Sequence, residues 1–184
     1  QSPNVDVIGW LVERVTGAPL VDFIRQSIWA PLGAEHDGVF TTDVSFAPIA
    51  TGGFNSTLRD AARFGLMALN DGCLGQTQIA PESWIKDTYD VRDEDRAAGA
   101  ASVNADATHE RFIDGFTGYR SFWWQFDAAQ GERVAMGVHG QVIYVNRAKN
   151  LVIANFASPE ATANQLRPTF KQMLAGTRAL AASF

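Results

Sequence analysis

Three stretches of this 184-residue chain carry residue types that can do chemistry. Gly137-Val138-His139-Gly140-Gln141 falls where one apolar run ends and the next begins, and small residues at a strand rim let another group approach the backbone closely. Read chemically, the Gln141 amide is one donor of an oxyanion hole, which needs a fixed N–H rather than a particular side chain. Read structurally, Gly137 and Gly140 mark a β-bulge. Gly52-Gly53-Phe54-Asn55-Ser56-Thr57-Leu58-Arg59-Asp60 sets two flexible residues and a cap ahead of a helix. That leaves backbone N–H groups to meet an anion or a carbonyl, or forms a plain helix entry. Ser83-Trp84-Ile85-Lys86 has the S-x-x-K spacing of serine hydrolases. Because Pro81-Glu82 before it marks the first turn of a surface helix, Ser83 is read as a decoy. His36, Asp37, His109, Glu110 and His139 are too dispersed for metal-ligand spacing, so neither a metal nor a cofactor is expected. Tyr119, Phe122, Trp123, Trp124 and Phe126 crowd one strand whose two faces divide between core and a pocket wall.

The elements that must position these groups follow from hydrophobic period. Val5, Ile8, Leu11, Val12 and Val15 recur at helical steps between Ser2-Pro3 and Gly17. Leu20, Phe23, Ile24 and Ile28 repeat the period in a second helix that Trp29-Ala30-Pro31 must stop. Residues from Ala34 to Gly53 read as loop. Thr57 with Asp60 forms a capping box for a third helix that ends at Asp71-Gly72, and a short fourth helix starts at Pro81. Charged and small residues replace the pattern from Arg92 to Gly118, a run long enough to read as a lid over a site. The period then becomes that of strands over Ser121–Phe126, Val134–Val138, Val142–Val145 and Leu151–Phe156. Turns at Gln130-Gly131 and Ala148-Lys149-Asn150 are too short for parallel crossovers, so the strands are antiparallel. Leu166, Phe170, Met173, Leu174, Thr177, Ala181 and Phe184 define a last helix. Helices, then a meander, then a covering helix predict an α+β fold.

Composition narrows the function classes. The chain is 46% hydrophobic and 19% charged, as ordinary folded domains are. Its net charge of −5, with 15 scattered Lys and Arg, argues against nucleic acid as a partner. Cys73 is the single cysteine, which excludes a disulfide framework and a cysteine-rich zinc site. No run of 18 apolar residues exists to span a membrane. Without an initiator Met, the true N-terminus is expected upstream.

In this order, Val5-Asp6-Val7-Ile8-Gly9 through Glu13-Arg14-Val15-Thr16-Gly17, Ile28-Trp29-Ala30-Pro31-Leu32-Gly33-Ala34-Glu35-His36-Asp37 and Gly52 through Gly65 resemble the serine β-lactamase, DD-peptidase and carboxylesterase superfamily. The resemblance is to the C-terminal half of its class C-like branch, nearest to aminohexanoate-dimer hydrolases, and it spans nearly the whole chain. It implies one partial domain over residues 1–184, with 1–118 mostly helical and 119–184 forming antiparallel strands plus the C-terminal helix. It further implies that the nucleophilic serine and its lysine lie on a helix upstream of Gln1. The family's Tyr-x-Ser element is matched only by Gln1-Ser2, which assigns Ser2 to the catalytic set and puts its tyrosine before Gln1. The Lys-Thr-Gly element corresponds to Val138-His139-Gly140 or its neighbourhood, with the Gln141 N–H donating to the oxyanion. His139 joins the catalytic set, and Gly140, Val138, Gly53, Phe54, Asn55 and Tyr119 are the expected substrate contacts. Loss of the lysine of Lys-Thr-Gly removes the cation beside a β-lactam carboxylate. The resemblance thus implies a serine hydrolase acting on small amides or esters through an acyl-enzyme. The alternative is a non-catalytic module that binds peptidoglycan fragments or amides. The missing N-terminal part of the domain is the expected partner, pairing with the Leu151–Phe156 strand.

Overall fold

The computed structural model describes residues 2–97, 115–158 and 167–184, so most of the expected lid lies outside the described residues. Helix α1 (Ser2–Thr16) stops where Gly17 takes φ +68° and returns its N–H to the Glu13 carbonyl, a turn open to glycine at little steric cost. Helix α2 (Leu20–Ile24) runs on as a wider turn over Arg25–Trp29, closed by the Ala30 N–H on the Arg25 carbonyl, and Pro31 ends it. The stretch read as loop contains strand β1 (Val39–Phe40), which pairs with β2 (Phe54–Asn55). Two-residue strands leave too short a period to detect in sequence. Helix α3 (Leu58–Leu69) begins at Thr57, whose hydroxyl oxygen accepts the Asp60 N–H as the capping box requires. A small hairpin, β3 (Cys73–Leu74) with β4 (Thr77–Gln78), leads into α4 (Glu82–Asp87).

The main sheet is an antiparallel meander in chain order: β5 (Gly118–Arg120), β6 (Trp123–Gln125), β7 (Glu132–Met136), β8 (Val142–Asn146) and β9 (Leu151–Asn155). Sequence alone joined Ser121–Phe126 into one strand and missed β5. Ser121 and Phe122 instead form a tight turn with φ of 49° and 66°, the geometry of a two-residue hairpin, but without the Asn-Gly signature that would reveal it.

Alternation along β8 divides the core. Val142 and Tyr144 face helix α5 (Arg167–Ala182), packing with Phe126, Val134 and Ala181. Val145 faces α3 and packs with Ala68, Leu69 and Trp123. Helix α3 lies so close to the sheet that a Cβ on Gly65 would stand 2.6 Å from the Val152 Cγ1. Fully buried Arg133 on β7 bridges the layers, lying over the rings of Tyr89 and Trp123 and donating to the Ala68 carbonyl. Burial pushes this guanidinium down to about 10, so it remains a cation at neutral pH. The architecture is α+β. Among the described residues no helix is long and apolar enough to cross a membrane.

Two apolar surfaces are left uncovered by the described residues. Strand β9 is an edge of the sheet. Helix α1 exposes Trp10 at 62% and Val15 at 84%. Between α1, α2, α3 and β8 runs a groove of about 470 Å³ lined by Val5, Ile8, Val12, Phe23, Phe64 and Ile143.

Asp60 is fully buried and accepts from the Glu35 and His36 amides, the Thr57 hydroxyl and Arg63. Burial alone would raise its pKa, but the Glu35 amide and these other donors together hold the carboxyl below its ordinary value. Its contribution to stability is therefore complete above the unfolded carboxylate pKa and is lost as pH falls through the lower folded value. Asp60→Ala should cost about 2–4 kcal/mol in urea denaturation at pH 7 by stranding these donors, with the deficit shrinking on acidification.

Candidate active site

A cleft of about 440 Å³ opens between two walls, the Phe54–Ser56 entry to α3 and the hairpin joining β7 to β8. The first wall is built from the chain ahead of it. Asp6 on α1 accepts the Thr51 N–H at 2.9 Å and the Thr51 hydroxyl at 2.7 Å, and the hydroxyl bond, then the amide bond, hold this carboxyl below its ordinary range. Gly53 follows in a position where a Cβ would meet the Ile49 carbonyl oxygen at 2.2 Å, so a side chain there would force the backbone apart. Asn55 donates its carboxamide to the Gly53 carbonyl at 2.8 Å, bracing the wall. Phe54 packs edge-on to Trp29 with ring centroids 4.9 Å apart and also contacts Phe40 at 5.0 Å.

The second wall is the hairpin tip. Met136 ends β7 opposite Val142, and Gly137 donates its N–H to the Gln141 carbonyl at 2.8 Å. Gly137 and Gln141 are both extended (φ/ψ −107°/169° and −73°/126°). An extended residue sends its N–H and C=O to the same lateral edge of the strand, so the Gln141 N–H faces Gly137 across the hairpin. The same result comes from the other end of that peptide unit. Gly140 offers its carbonyl to the Asn155 side chain on β9 at 3.2 Å, and a trans peptide sends the following N–H the opposite way, toward β7. This geometry sets the Gln141 N–H on the inner side of the hairpin rather than in the outward position expected for it. With the Gly137 carbonyl turned toward Gln141, planarity turns the Val138 N–H outward, on the edge of β7 that β6 does not pair beyond Val134.

The other expected contacts divide. Phe54, Asn55 and Gln141 line the cleft together with Met136, Gly137, Phe122 and Phe156. His139 is exposed at the tip with φ 58°, a left-handed conformation rare outside glycine, and Gly140 follows at φ 82°. A Cβ on Gly140 would point at Ala157 (3.2 Å) and the Met173 sulfur (3.8 Å), toward α5. The positive φ gives a conformational reason for glycine there. Tyr119 stands on β5 against Trp124, in the cross-strand row that continues through Val134 and Tyr144 toward α5, and does not join the cleft. Ser2 begins α1, and its side chain is outside the described residues. Ser83 is exposed on α4, and Lys86 pairs with Glu82 rather than facing it. Of the lining residues, Met136 and Phe156 carried no signal beyond strand periodicity, because their place depends on where the strands end.

The Beta-lactamase family model matches residues 1–174. This chain belongs to the beta-lactamase family. Within that family it is 31% identical over 159 residues to the 6-aminohexanoate-dimer hydrolase of Paenarthrobacter ureafaciens, an alignment covering 85% of this chain and 38% of the relative. A solved structure described as a 6-aminohexanoate-dimer hydrolase from Bacillus anthracis superposes with a TM-score of 0.70 at 26% identity, over 92% of this chain and 40% of that one. A Bacteroides dorei DSM 17855 structure described as a beta-lactamase shares the fold, with a TM-score of 0.59 at 19% identity, over 91% of this chain and 54% of that one. The chain thus spans about two fifths of the length of these two hydrolases.

The left-handed tip yields a pair of opposite effects. His139→Gly should raise stability by up to about 1 kcal/mol, and Gly140→Ala should lower it by about 1–2 kcal/mol, both read from urea midpoints.

Proposed function

We propose that this chain is the carbonyl-binding part of a serine hydrolase that cleaves neutral amides or esters, with the nucleophile on a segment preceding Gln1. The observation that carries this reading is the cleft itself. Gly137, next to the Val138 N–H that the hairpin geometry turns outward, lines it, and among the described lining residues none is charged. A carbonyl flanked by aliphatic groups fits such a wall of Phe54, Phe122, Met136, Ile143 and Phe156. A β-lactam carboxylate finds no cation among the described lining residues, in keeping with the Val138-His139-Gly140 sequence, which lacks the lysine of Lys-Thr-Gly. The relatives named for an aminohexanoate dimer, an aliphatic amide, support the same substrate class.

In the proposed reaction the upstream serine hydroxyl attacks the carbonyl carbon while its proton passes to the neighbouring base. The carbonyl oxygen becomes an oxyanion held by the Val138 N–H and a second amide beside the nucleophile. Collapse expels the amine or alcohol, and water then releases the acid and restores the serine. The upstream part of the same domain is proposed to cover the apolar groove and pair with β9. The groove runs into the cleft through shared Phe54, Ser56 and Ile143, so a segment seated there would reach the rim.

The test is hydrolysis by the protein that includes the upstream segment. It should turn over p-nitrophenyl butyrate, become labelled by a fluorophosphonate, and leave the chromogenic cephalosporin nitrocefin nearly untouched. Ser83→Ala should behave as wild type. Absence of both turnover and labelling would favour the non-catalytic binding module, and efficient nitrocefin hydrolysis would refute the neutral-substrate assignment.

A further inference from the structure

Gln141 lines the cleft, yet its backbone amide faces inward, which leaves its side chain to be explained. That carboxamide donates to the Ala157 carbonyl just past β9 at 2.6 Å. In the reverse direction, Asn155 at the end of β9 donates to the Gly140 carbonyl at 3.2 Å and lies 3.1 Å from the Met173 sulfur. Two side chains thus cross between the hairpin tip and the end of the neighbouring strand. The segment they hold contains consecutive left-handed residues, His139 and Gly140, and glycine at such a place would otherwise move among several turn shapes.

We infer that Asn155 and the Gln141 side chain are positioning residues, a cross-brace that sets the direction of the Val138 N–H at the rim. The transmission runs through rigid planes. Fixing the Gly140 carbonyl on Asn155 fixes the Gln141 N–H toward Gly137, because both ends belong to one planar peptide unit. That orientation places the Gln141 carbonyl on the Gly137 N–H. Gly137 is then held with its own carbonyl inward, which leaves the next N–H, that of Val138, directed outward. An oxyanion donor is effective only when already aimed, since reorientation during reaction would forfeit the advantage of a fixed dipole. This inference rests on the proposed hydrolase reading for its catalytic consequence, although the brace itself concerns only the hairpin.

The experiment uses the protein with its upstream segment and compares wild type, Asn155→Ala, Asn155→Asp, Gln141→Ala and the Asn155→Ala/Gln141→Ala double variant. Asn155→Asp preserves volume while removing the N–H donor, which guards against a variant that fails to fold. Rates on p-nitrophenyl butyrate are counted per site titrated with a fluorophosphonate. Each single variant should lose about tenfold or more in kcat with KM within about threefold, and the double variant should lose little beyond the worse single, because the two struts act as one unit. A kcat per titrated site equal to wild type in the single variants would overturn the inference. So would a loss of activity matched by an equal loss of titratable sites, which marks a purely structural role. Amide hydrogen exchange across residues 137–141 gives a readout independent of turnover. Exchange at Gly137, whose N–H is bonded to the Gln141 carbonyl, should quicken by about tenfold in Asn155→Asp relative to the β7–β8 ladder. Unchanged exchange would overturn the brace even in an active enzyme, whereas quickened exchange in a protein that hydrolyses nothing would uphold the brace and refute the hydrolase reading.

Discussion

The bond from the Gly137 N–H to the Gln141 carbonyl decides the character of the cleft. An antiparallel hairpin offers each residue one lateral edge for both backbone groups, and this bond assigns the inner edge to Gly137 and Gln141. The next amide along, that of Val138, is left with the outer edge beside an apolar wall. An outward backbone donor beside a cleft whose described lining carries no charge is the feature on which the proposed oxyanion site rests, and backbone supplies it without any particular side chain.

Around that hairpin, close packing at one end of α3 makes room at the other. Gly65 lets the helix sit directly on Ile143 and Val152, while Ala61, nearer its start, lines the cleft. The start of α3 is in turn fixed by Asp60, which draws the Glu35–His36 segment onto the helix cap. The wall at Phe54 is held from α1 through Asp6 and Thr51. The cleft is therefore positioned by buried and half-buried polar bonds on one side and by the β-ladder on the other. The groove behind it shares Phe54, Ser56 and Ile143 with it, so a surface left uncovered by the described residues is continuous with the site.

Long elements were legible in the sequence because their apolar period is sustained. Helices α1, α3 and α5 and strands β7 to β9 follow from spacing, and the Thr57–Asp60 capping box forms as its residues demand. The shortest strands and turns were not legible. Strands β1 to β4 contain two residues each, and the Ser121-Phe122 turn lacks the glycine or asparagine that would announce it. At the cleft, the lining residues Phe54, Asn55, Gly137 and Gln141 belong to segments singled out by their small residues and caps. Which amide of that corner faces outward depends on hairpin register, and a one-residue change of register reverses every edge. The face of Tyr119 was illegible for the same reason, since its strand was not detected. Asn155 carried no signal, because its role depends on a neighbour fifteen positions away.

The most direct measurement follows the backbone amide resonances of Val138 and Gln141 by NMR in the protein with its upstream segment, before and after addition of a phenylboronic acid that forms a tetrahedral adduct. A large downfield shift of the Val138 amide proton is expected, with Gln141 nearly unmoved. A shift centred on Gln141, or none at either residue while the nucleophile is demonstrably modified, would contradict it.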